Sequence, residues 1–112
     1  MSRTFDHRFA EIEGVDSARL NDADGLVAVI VAAASASGIS APSLPVIQRG
    51  PQGHAVGLVC LDGHLVLHAN PSRGDCIVDI AVRVPASAER GLEVIVRRLG
   101  AAGLTPAHPP ST

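Results

Sequence analysis

The chain has no tryptophan, no tyrosine and no lysine, and Phe5 and Phe9 are the only aromatic residues among its 112. A planar ligand would find few faces to stack on. Every basic residue is an arginine, no basic run occurs, and the formal net charge is −2, so the electrostatic footprint of a nucleic-acid binder is missing. Cys60 and Cys76 lack metal-binding or redox spacing and sit within apolar runs. That fits reduced, buried thiols better than a disulfide framework. The first residues hold no apolar signal core, and the longest apolar run, 26–34, is too short to span a bilayer. The expectation is a cytoplasmic protein with no membrane and no nucleic-acid partner.

What is present is a small alanine-, valine- and leucine-rich domain, large enough to bury roughly two-thirds of its extended surface. Alternation of Phe5, His7 and Phe9 with Asp6, Arg8 and Ala10 predicts a first strand over 4–12, ended by Gly14. Asp22 and Asp24 then cap an apolar, alanine-rich helix over 22–37 that stops at Gly38. Residues 43–48 read as a short strand placed near an edge by Pro45. Three apolar stretches, 55–61, 64–69 and 76–84, follow the turn signal Gly50-Pro51-Gln52-Gly53, and the short turns between them join antiparallel neighbours. Ser87 opens a second helix carrying Leu92, Ile95, Val96 and Leu99 on one face, with Gly100 as its stop. The pattern predicts an α+β two-layer sandwich, an antiparallel sheet with two helices on one face. Residues 1–103 form the single domain, and the proline-rich 104–112 reads as a flexible tail, with His108 solvated in it.

Several motifs agree in order and spacing with one family: His7 followed by Ala10-Glu11, Ser37-Gly38 at the helix end, Pro51-Gln52-Gly53, and above all the stretch from Asp62-Gly63-His64 through His68 and Pro71 to Gly74, with Asp79 on the last strand. Over about residues 6–99 the chain resembles the prokaryotic S-adenosylmethionine (AdoMet) decarboxylases, whose core motif runs approximately Glu-Ser-His-x-x-x-His-Thr-Trp-Pro-Glu-x-Gly. The resemblance implies that fold, and a cofactor made from the chain itself. In the family the motif's serine hydroxyl attacks the preceding carbonyl, the ester undergoes β-elimination, and the new N-terminus becomes a pyruvoyl group.

The departures fall on the positions that the resemblance makes functional. The nucleophile's position is Gly63, which has no β-carbon from which an ester or dehydroalanine could form. The helper serine's position is Ala55 and the proton-donor cysteine's is Arg83. Arg49, Asn70 and Ser72 stand where the resemblance puts an adenine-packing aromatic, a tryptophan and a ribose-binding glutamate. His68, assigned by the resemblance to processing and to the ligand pocket, is kept. No pyruvoyl cofactor is expected.

On the strands, alternation sets His64, Val66 and His68 on one face and Leu65 and Leu67 on the other, with Asp79 and Arg83 joining the histidines. His64, His68, Asp79 and Arg83 make the candidate residual site. It reads as two histidine ligands and an aspartate for a metal, without a motif that supports one; as an acid–base or anion site with Arg83 holding a carboxylate; or as an inert Asp79–Arg83 pair with hydrogen-bonded histidines at a subunit contact. His7 and His54 could join any of these. Arg97 and Arg98 need only the helix-dipole explanation. Three functions follow. One is a non-catalytic relative that binds a small metabolite or a catalytic paralogue of AdoMet or polyamine metabolism. Another is a diverged enzyme acting on an AdoMet-related or amino-acid substrate through His64, His68 and Arg83. The last is a structural protein without ligand. A homodimer is expected, since the family commonly pairs its sandwiches and the outer face carries Val66, Ile77 and Ala81.

Overall fold

The structure is a computed structural model, and residues 3–39 and 44–107 are described. Strand β1 (Phe5–Glu13) leads through a single-turn helix α1 (Ser17–Leu20) into α2 (Ala23–Ser37). Then come β2 (Val46–Gly50), β3 (Gly53–Cys60), β4 (Gly63–Asn70), β5 (Asp75–Arg83), helix α3 (Ala88–Leu99) and β6 (Gly103–Ala107). The six strands form one antiparallel sheet in the order β2-β3-β4-β5-β1-β6. The α+β sandwich is as expected, with additions. α1 lies in a stretch to which the sequence pattern assigns no element, its Asp16 cap accepting from the Ala18 N–H at 3.0 Å.

The proline-rich segment is a correction. Residues 103–107 are not a loose tail but an edge strand, with Leu104 opposite Ile12 and Pro106 opposite Ala10 of β1. Proline is compatible with an edge because its missing N–H need only face outward. His108 lies outside the described residues. The second strand is also displaced: it begins at Val46, past Pro45, and Ser43 lies outside the described residues.

Each long helix is framed by the caps its sequence predicts. Asp22 accepts from the Gly25 N–H at 3.0 Å and Ser87 from that of Arg90 at 3.3 Å, while Gly38 and Gly100 end the helices in the left-handed conformation. The helices pack on the inward residues of the central strands, and Leu65, Leu67, Val78, Ile80 and Val82 are essentially inaccessible, as are Ile30 of α2 and Ile95 of α3. α2 and α3 approach closely where Gly91 faces Ala33 and Ser37; a β-carbon at 91 would collide with the Ser37 hydroxyl. That hydroxyl is itself held by the Ala33 carbonyl at 2.8 Å. The small residues of α2 thus serve a helix–helix contact as well as packing on the sheet. No helix among the described residues is long and apolar enough to cross a membrane.

Cys76 belongs to this core. Burial, with a smaller contribution from the neighbouring Asp75 carboxylate, pushes its thiol up to about 12. An ordinary thiol titrates near 8.5, so between about pH 9 and 12 the unfolded chain loses a proton that the folded chain keeps. Stability is therefore intact below pH 9 and falls with further rise, by up to about 1.4 kcal/mol per pH unit for one proton. The chain has neither tyrosine nor lysine, and the other thiol in this range is Cys60, which burial and the Asp62 carboxylate also push up. Urea melts of Cys76→Ala against the parent at pH 8 and pH 11 should show a smaller alkaline loss in the variant; equal losses would contradict it.

Candidate functional site

The sheet's second face is left open by the helices. Alternation puts His64, Val66, His68 and Asn70 of β4 on it, with Asp75, Ile77, Asp79, Ala81 and Arg83 of β5. Phe5, His7, Phe9, Glu11 and Glu13 of β1 continue the same face. Register then decides which of these meet. Ala81 lies between His7 on β1 and His64 on β4, and its small side chain leaves both imidazoles room to lean along their strands toward Asp79. His7 Nε2 is 2.6 Å from Asp79 Oδ1, and His64 Nε2 is 3.9 Å from the same oxygen. Three adjacent strands therefore build a histidine–carboxylate–histidine cluster, with His7 and Asp79 only 40% and 37% exposed at their side chains.

The four-residue constellation expected from sequence does not assemble. Residues four apart on one strand are separated by about 13 Å, which keeps Arg83 from Asp79 and His68 from His64. Arg83 pairs instead with Asp62 of the β3–β4 turn at 3.5 Å, and its guanidinium stacks over the Phe5 ring with 4.9 Å to the centroid. His68 stands opposite Ala55 on β3 and Ile77 on β5. It separates two shallow depressions: one of about 260 Å³ bordered by Glu11, Glu13, Asn70 and Asp75, the other of about 380 Å³ bordered by Gln48, Gln52 and Ala55. Among the described residues no three His, Cys, Asp or Glu side chains are arranged to hold a metal ion.

The positions assigned by resemblance to a nucleoside scatter. Arg49 reaches toward the helix layer, its Nη2 3.3 Å from Asp24 Oδ1 near the start of α2, while Ser72 donates to Asn70 Oδ1 at 3.1 Å within the β4–β5 turn. His54 pairs in register with Arg49 and buries its Nδ1 without a hydrogen-bond partner. His7 was the informative residue that local pattern alone left unplaced, because only the β1–β5 register brings it to Asp79.

Gly63 opens β4 with φ +154°. A β-carbon built there would overlap the Ala81 carbonyl oxygen and come within 2.8 Å of the Val82 Cα. The preceding Asp62 carbonyl accepts from the Arg83 N–H at 2.7 Å. The carbonyl that a nucleophile at 63 would attack is thus held and polarised, while the backbone around residue 63 leaves no place for a side chain. With no β-carbon at 63 and no room for one, the residues present do not fit a pyruvoyl group.

Comparison with known proteins agrees with this architecture. The family model described as S-adenosylmethionine decarboxylase matches residues 6–106. The chain is 32% identical over 74 residues to an S-adenosylmethionine decarboxylase proenzyme of Caldanaerobacter subterraneus subsp. tengcongensis; the match covers 66% of this chain and 60% of that relative's length. It is similar in fold to the crystal structure of the adenosylmethionine decarboxylase from Aquifex aeolicus VF5, with a TM-score of 0.82 and 19% identity over 96% of this chain and 89% of that one.

Proposed function

Because this chain belongs to the S-adenosylmethionine decarboxylase family, we propose that it is a non-catalytic member, one that keeps the fold, forms no pyruvoyl group, and binds a metabolite or a paralogous chain of AdoMet or polyamine metabolism. The observation that carries this is the closed backbone around Gly63. A residue-63 side chain is not merely missing; the Ala81 carbonyl occupies its place. Ala55 beside His68, and Arg83 committed to Asp62 and Phe5, support the same conclusion, since neither supplies the hydroxyl or thiol that the resemblance calls for. The open sheet face is where a ligand or a second chain would lie. Six strands of this spacing present on the order of 700 Å², close to the ~800 Å² per partner of a standard protein interface. Two copies of this chain paired through that face are the proposed resting assembly.

The test is release of labelled carbon dioxide from carboxyl-labelled AdoMet, run beside thermal shifts with AdoMet, decarboxylated AdoMet and polyamines. No carbon dioxide, with a raised melting temperature for at least one of these compounds, is expected, since a ligand selective for the folded state must stabilise it. Turnover of AdoMet would overturn the proposal.

The short His7–Asp79 contact favours one second reading, a diverged enzyme using a histidine oriented by a carboxylate as proton acceptor. His7→Gln should then abolish a turnover that the parent shows on an AdoMet-related or amino-acid substrate.

A further inference from the structure

The charge on the open face has a pattern that bears on its assembly. Of its carboxylates, Asp75 lies 3.5 Å from Arg73, and Asp62, at the rim, is matched by Arg83. Glu11, Glu13 and Asp79 have no arginine pair among the described residues, and the basic groups nearest them on this face are imidazoles: His7 and His64 flanking Asp79, and His68 one strand further across from Glu11 than Ile77. The face carries no lysine, and its outer strands add no charge: β2 presents Val46, Gln48 and Gly50, β3 presents Ala55, Gly57 and Val59, and β6 presents Gly103 and Thr105. Helix charges lie on the other side of the sheet.

Three unbalanced carboxylates therefore share the face with three histidines. With the imidazoles neutral, two copies meeting through it would bring two negative surfaces together. With the imidazoles charged, the face is balanced and also largely self-complementary, because Glu11 and Glu13, with His68 beside them, sit toward one end and His7 and His64 toward the other. A two-fold axis lying in the interface and perpendicular to the strands sets each end over its opposite. Val66 and Phe9 flank Asp79 in register at the middle of the face, and Ile77 lies beside them on β5.

We propose that pairing of two copies through this face is proton-linked, with His7, His64 and His68 as the sensing groups and association tightening as they take up protons. It rests on the reading of this face as the interface between copies. Imidazoles ordinarily gain charge around pH 6.5, whereas glutamates stay ionised until well below pH 6. Salt weakens the response by screening.

Analytical ultracentrifugation of the whole chain at low ionic strength provides the test. The dissociation constant should fall at least tenfold from pH 8 to pH 6, and the double variant H7Q/H64Q should lose most of that change while keeping its melting temperature within a few degrees. Ile77→Arg, on the outward face, should be monomeric at both pH values and still folded. A monomer at both pH values in the parent would overturn the interface and the proton link together. A dimer of unchanged affinity between pH 8 and pH 6, abolished by Ile77→Arg, would keep the interface and overturn the proton link alone.

Discussion

Placing serine at Gly63 is expected to destabilise the protein by about 3–5 kcal/mol, from a non-glycine residue in a strained backbone region together with overpacking. It is also expected to yield no self-cleavage. The new β-carbon would overlap the Ala81 carbonyl oxygen, and the Val82 Cα stands only 2.8 Å from it, so both backbones of the β4–β5 pair must shift to admit it. These atoms belong to central strands whose inward residues, Leu65 and Ile80, are fully buried. Relaxation there is resisted from both sides. Cleavage also lacks help, since Ala55 beside His68 has no hydroxyl to offer. Thermal melts and a denaturing gel of Gly63→Ser decide both points. A variant as stable as the parent would show that the site accepts a side chain. Two fragments would show that one substitution, rather than a remodelled site, separates this chain from a self-processing one.

Asp6→Ala carries the second large effect, about 2–3 kcal/mol, a drop of roughly 10–15 °C in melting temperature for a domain of this size. Asp6 sits on β1 but points inward, 7% exposed, and its Oδ2 accepts from the Ala88 N–H at 2.8 Å in the first turn of α3. A strand carboxylate thus supplies what a helix N-terminus lacks, satisfying an N–H with no intrahelical partner and placing negative charge at the positive end of the dipole. Arg3 and Arg8, 3.5 and 3.8 Å from its Oδ1, are largely exposed and add little. Asp6→Asn keeps an acceptor for Ala88 and should recover about half of the loss. Equal losses in the two variants would mean that charge, not hydrogen bonding, carries the contribution.

Much of this fold is legible in the chain because local chemistry and the final structure agree. The caps Asp22 and Ser87, the stops Gly38 and Gly100, and the alternation through β4 and β5 each place an element without knowledge of the rest. β6 escapes such reading because Pro106 argues against a strand everywhere except at an edge, and whether 103–107 is an edge depends on β1 being free to pair there. α1, at four residues, is too short to show a helical period.

The site was legible only as a face. His64, His68, Asp79 and Arg83 do share one side of the sheet, but which of them touch is set by register between strands far apart in sequence. That is why His7, 72 residues from Asp79, replaces Arg83 as its partner. The Asp79–Arg83 pair expected from sequence fails for a reason internal to one strand, since residues four apart on extended chain lie about 13 Å apart.

Denaturing mass spectrometry of the purified chain tests the loss of pyruvoyl chemistry most directly. A single uncleaved polypeptide, with Asp62 and Gly63 still joined, is the expected result. Two fragments divided between those residues, the second bearing a pyruvoyl group at its N-terminus, would contradict it.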